Sequence, residues 1–121
     1  MRVMTIRIER DTHVALASAA EHFARAWENG AYAGEYLSFE SPAALFRALT
    51  PVRWGVLEAL QKTGPSSLRG LARSLGRDVK AVHRDVVVLI EKGLIEKDAS
   101  RRLQVPFSRI HAEFDLMGRA A

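Results

Sequence analysis

The residues best suited to chemistry in this chain are basic and clustered. Lys62, Arg69, Arg73, Arg77, Lys80 and Arg84 lie between Gln61 and Arg84 with a single acid, Asp78, among them. Of the 18 basic and 14 acidic residues in the chain, six and one fall in this window, so the window carries +5 and the rest of the chain −1. A charge concentrated in this way is the footprint of a surface that faces a polyanion. A second cluster, His111, Glu113 and Asp115, alternates along one strand face and has the residue types of a metal site. The charged outer face of a terminal strand explains those three residues better, and no metal or cofactor is expected. There is no glycine-rich phosphate loop, no HExxH and no serine–histidine–aspartate order, so an enzyme is not expected.

The elements that must position the basic residues follow from period and punctuation. Thr50-Pro51 opens a helix in which Val52, Val56, Leu57 and Leu60 share a face, and Gly64-Pro65 ends it. Ser66 or Ser67 caps a short helix with Leu68, Leu71, Ala72 and Leu75 inward, closed by Gly76. A third helix starts near Asp78, with Val79, Val82, Val86, Leu89 and Ile90 inward and Gly93 as its stop. At 100° per residue, Arg77, Lys80 and Arg84 come to the side opposite that apolar stripe. Lys80 and Arg84 then lie one turn apart near the helix N-terminus, where a helix presents side chains to base edges in a major groove. Arg84 suits bidentate contact with a guanine, and Lys80 a base or a phosphate. Ala81 and His83 flank the same face. Ser66, Ser67 and Arg69 at the start of the preceding helix suit phosphate. The same charges would also suit the solvated side of an ordinary amphipathic helix.

After Gly93 the period changes from helix to strand. Leu94 to Lys97 and Arg102 to Val105 flank a four-residue turn, a hairpin that carries Arg101 and Arg102 at its tip. Pro106 stops its second strand. Ile110, Ala112, Phe114 and Leu116 alternate with His111, Glu113 and Asp115 in a last strand, expected to pair with the N-terminal strand or with Tyr36 to Phe39. At the other end Met4, Ile6 and Ile8 alternate with Thr5, Arg7 and Glu9. Leu16, Ala20, Phe23 and Trp27 form the stripe of a helix from Asp11 or Thr12 to Asn29-Gly30. Ser41-Pro42 opens another helix with Ala44, Leu45, Ala48 and Leu49 buried. The fold class expected is therefore α+β: a three-helix core plus a β-hairpin wing, a winged helix-turn-helix, with an N-terminal strand-helix extension and a C-terminal strand. The expected division is 1–37 for the extension, serving dimerisation or partner binding, 38–116 for the DNA-binding domain, and 117–121 for a tail.

The segment SLRGLARSLGRDVKAVHRDVVVLIEKGLI resembles the helix-turn-helix core of ArsR- and MarR-like winged-helix regulators. SFESPAALFRALTPVRWGVLEALQ, LGRDVKAVHRDV and VPFSRIHAEFDL, spread over residues 38 to 116, resemble a group of small bacterial and archaeal winged-helix proteins. Members of that group are described as transcriptional regulators and, in many cases, as antitoxins encoded beside a small toxin. The resemblance implies a repressor of its own operator, a double-stranded DNA partner, and a small toxin as a second partner. A stand-alone repressor without a toxin, or a winged helix used only for protein association, remains open. MTIRIER followed by a helix also suits the first half of a ribbon-helix-helix protein, in which Thr5 and Arg7 of a paired strand would read DNA. The long first helix and the N-terminal strand exceed what a minimal winged helix needs, so a homodimer is expected. With no cysteine and no apolar run near the roughly 20 residues that span a bilayer, the chain reads as soluble and cytoplasmic, without membrane contact.

Overall fold

The computed structural model describes residues 1–10 and 34–118, together with six helical residues between them: Leu16, Ala17, Ala20, Glu21, Phe23 and Ala24. Most of the helix expected from Asp11 or Thr12 to Asn29-Gly30, Trp27 included, lies outside the described residues, as do the last three residues of the tail. The fold is mixed α+β. In chain order it comprises β1 (Val3–Ile8), β2 (Glu35–Phe39), α1 (Pro42–Ala48), α2 (Pro51–Thr63), α3 (Leu68–Leu75), α4 (Val79–Glu91), β3 (Glu96–Lys97), β4 (Leu103–Gln104) and β5 (Arg109–Glu113).

These elements fall into two compact units, Met1–Leu45 with Arg109–Ala121, and Phe46–Ser108. The expected division at 37/38 thus gives way to another, because the C-terminal strand and Tyr36 to Phe39 both join the N-terminal strand in one sheet.

That sheet has the order β2-β1-β5, and both pairings are parallel. Parallel neighbours need a long crossover, and the 9–34 segment supplies one between β1 and β2. Met4 and Ile6 on one face are buried, while Thr5 and Arg7 on the other are half-buried. The polar face holds Arg7 over the Tyr36 ring at 4.5 Å and His111 Nε2 3.1 Å from a Glu113 carboxylate oxygen. Because β1 is flanked on both edges, it has no edge left to build an intermolecular ribbon, and the ribbon-helix-helix reading falls. The last strand is also shorter than its alternation suggests: it ends at Glu113, and Phe114 and Leu116 beyond it are exposed.

In the second unit, sequence punctuation became backbone geometry. The Thr50, Ser67 and Asp78 side chains accept the first free N–H groups of α2, α3 and α4, as caps do. Gly76 ends α3 at φ 65°, a left-handed position that costs an L side chain about 1 kcal/mol or more. Val56, Leu57, Leu60, Leu71, Ala72, Val82, Val86 and Leu89 close the core, with Leu94, Ile95, Leu103 and Phe107 from the segments that follow. Three side chains expected inward, Val52, Val79 and Ile90, are instead partly exposed, because each lies in a terminal turn of its helix, where the stripe runs past its neighbours. β3 and β4 form the antiparallel hairpin, and Leu103 bridges back to Ser66 at the start of α3 through two backbone hydrogen bonds. Among the described residues, no helix is long and apolar enough to cross a membrane.

Candidate nucleic-acid interface

The turn Gly76–Asp78 sets the direction of α4, and with it the side chains α4 presents. The Asp78 carboxylate accepts the N–H groups of Lys80 and Ala81, which fixes the first turn of the helix. From that start Lys80, His83 and Arg84 emerge exposed, and Ala81 is half-buried. Lys80, His83 and Arg84, with Leu68 of the preceding helix and Val79, line an open concavity of about 450 Å³. None of the three basic side chains has a hydrogen-bond or ion-pair partner among the described residues. Arg69 on α3 is likewise exposed, and Arg101 stands at the hairpin tip in a left-handed conformation, φ 65°. A second groove of about 240 Å³ runs between α4 and the hairpin, with His83, Lys97 and Arg101 among its lining residues and no acid in it.

Four of the expected contact residues are placed differently. Arg77 does not join Lys80 and Arg84: its guanidinium turns back along α4 and donates to Asp85 at 2.8 Å. Arg53 of α2 donates to the other oxygen of the same carboxylate at 3.0 Å and also to the Ala48 carbonyl at the end of α1 at 2.9 Å. The Asp85 side chain is 14% exposed, so two guanidiniums share one half-buried acceptor. One carboxylate cannot satisfy every donor of two arginines, and Arg77 Nη1 is left buried without a partner. Ser67 uses its hydroxyl on the Gly70 N–H, as the cap of α3, and the Ser66 hydroxyl donates to the Gly64 carbonyl.

Arg102, expected as a free donor on the hairpin, is paired with Asp98. One oxygen of Asp98 accepts the backbone N–H groups of Ser100 and Arg102 at 2.9 and 2.8 Å, and the other accepts the Arg102 guanidinium at 3.1 Å. The backbone N–H of Arg102 is the main cause that holds the Asp98 carboxyl below its ordinary value; desolvation opposes it, and the Arg102 charge assists. The role of Asp85 escapes sequence reasoning, because its partners are 32 and 8 residues away and obey no helical spacing. The only available signal was an acid directly after Arg84 on a helix whose neighbouring charges are basic. Along β5, His111 and Glu113 contact each other, and no group of three metal-ligating side chains occurs among the described residues.

Fold and site together define a mixed α+β protein with an unpaired basic helix face beside a β-hairpin. Residues 48–112, more than half of the chain, match the HVO_A0114 family, and the chain belongs to it. No curated protein and no solved structure matches the chain.

Proposed function

We propose that this chain is a sequence-specific regulator of transcription that binds double-stranded DNA through a winged helix-turn-helix, with α4 as the reading helix and the β3–β4 hairpin as the wing. One observation carries the reading: Lys80, His83 and Arg84 are exposed and unpaired on the N-terminal half of α4, while the acids nearest them, Asp85 and Asp78, are spent on Arg53 with Arg77 and on the helix N-cap. A face stripped of its own counter-charge has its electrostatic complement in a polyanion. Arg84 reads a guanine through its forked donors, and Lys80 takes a neighbouring base or phosphate. His83, Arg69 and Arg101 hold the backbone on either side. Two copies on a pseudo-palindrome multiply the few base contacts one module makes. The resemblance to antitoxin-type regulators adds the product of a neighbouring gene as a partner to be sought by co-purification.

The test is binding of the purified chain to the DNA upstream of its own gene, against a scrambled duplex, at two salt concentrations. Specific binding that weakens steeply with salt is expected. The Lys80→Ala/Arg84→Ala double variant should lose about tenfold to a hundredfold in affinity, the worth of a good base contact. Equal binding to both duplexes, or none, would transfer the helical unit to protein association instead.

A further inference from the structure

β5 is an edge strand. It pairs with β1 from Val3↔Arg109 to Arg7↔Glu113, and among the described residues no strand occupies its outer edge. An open edge presents N–H and C=O groups to any extended chain that can match it. The side chains along this one sort into two faces. Arg109, His111 and Glu113 share the polar face of Val3, Thr5 and Arg7; Asp115 lies two residues past the strand end, and comes to the same side when the strand is extended through it. Ile110 and Ala112 are in register with the buried Met4 and Ile6, and Phe114, 39% exposed just past the strand end, follows them.

The order Arg-Ile-His-Ala-Glu-Phe-Asp from 109 to 115 complements itself. When a second copy is laid antiparallel with Ala112 opposite Ala112, Arg109 faces Asp115, His111 faces Glu113 and Ile110 faces Phe114. The charged pairs all fall on the polar face and the apolar pair on the other, and a twofold axis repeats each pair. A slip of one residue sets the polar face of one copy beside the apolar face of the other. A slip of two sets Glu113 against Glu113 in one direction; in the other it sets His111 against His111 with Arg109 opposite Glu113, and there Asp115 has no partner, so the Asp115 variant below separates that register from the one about Ala112. We propose that the outer edge of β5 is a homodimer interface, in which two copies pair antiparallel about Ala112 and join their sheets into one. The proposal names the surface behind the two-copy reading above and rests on that reading only for its purpose. The pairing itself is read from the strand and needs no DNA.

Sedimentation velocity of the full chain at micromolar concentration, without DNA, tests it. The unaltered chain should sediment as a dimer. Arg109→Asp and Asp115→Arg each set like charges opposite one another at both symmetric positions, and each should weaken the dimer about tenfold or more. An equimolar mixture of the two variants restores opposite charges at both positions and should sediment as a heterodimer. A monomeric unaltered chain, variants that dimerise undiminished, or a mixture that stays monomeric would each overturn the proposal. His111→Glu mixed with Glu113→Lys makes the same test one pair nearer the axis, and replaces the first pair if circular dichroism shows either variant unfolded. The Lys80→Ala/Arg84→Ala chain should dimerise normally, so loss of DNA binding and loss of dimerisation are read separately.

Discussion

Asp85 separates two kinds of arginine that look alike in the sequence. Arg77 and Arg84 both flank the start of α4, yet one is tied to a half-buried carboxylate and the other is free. Removing the carboxylate should therefore harm the fold, whereas removing the free cations should harm only binding. Asp85→Ala leaves Arg53 and Arg77 partly buried without their acceptor, and a loss of about 2 kcal/mol in urea unfolding is expected. Lys80→Ala/Arg84→Ala should stay within about 0.5 kcal/mol of the unaltered chain in the same measurement, as exposed substitutions do. The free pair was legible in the sequence because two residues four apart on a capped helix share a face regardless of what surrounds them. The tied pair was not, because Arg53 reaches Asp85 only once α2 and α4 are packed.

At the scale of elements, the helices were the most readable part of the chain. Thr50-Pro51, Ser67, Asp78 and Gly76 mark their own termini by local hydrogen bonds and backbone freedom, and each acts as its residue type suggests. The hairpin was legible by position but not by its interior bonds, since Arg102 turned out to belong to Asp98. The Asp98 carboxylate, held chiefly by the Arg102 backbone N–H, gives the turn a dependence on pH. Asp98 titrates lower in the folded chain than its ordinary value of 3.8, so its contribution is complete above that value and is lost as pH falls below it through the folded pKa. Amide shifts of Ser100 and Arg102 followed by NMR should move in that acid range, and Asp98→Asn, which keeps an acceptor without the charge, should abolish the dependence. The strands were read least well. Alternation identified β1 and β5 and named β1 as one possible partner of β5, but parallel pairing is set by the crossover rather than by residue type. Alternation also ran on to Leu116, where no partner residue continues the ladder.

For the whole molecule, the sheet draws on both ends of the described chain while the helical unit between them is continuous. Val3 bonds into register with Arg109, so one contact spans nearly the entire chain, whereas α2, α3 and α4 meet across short turns. Contacts of such different reach form at different speeds, because closing the long loop comes at a greater entropic cost. Pulsed hydrogen exchange during refolding should find amides of α2 to α4 protected before those of Met4 and Ile6; simultaneous protection would show that the two units fold as one. On the ribosome the same asymmetry becomes an order of events. The basic helix face is complete once Leu103 and Phe107 have emerged, while β1 still has only β2 beside it. The strand that closes the sheet, with the self-complementary edge on its far side, is made afterwards. On the reading proposed above, a nascent chain would complete its DNA-facing helix face before it holds the strand edge through which two copies would pair.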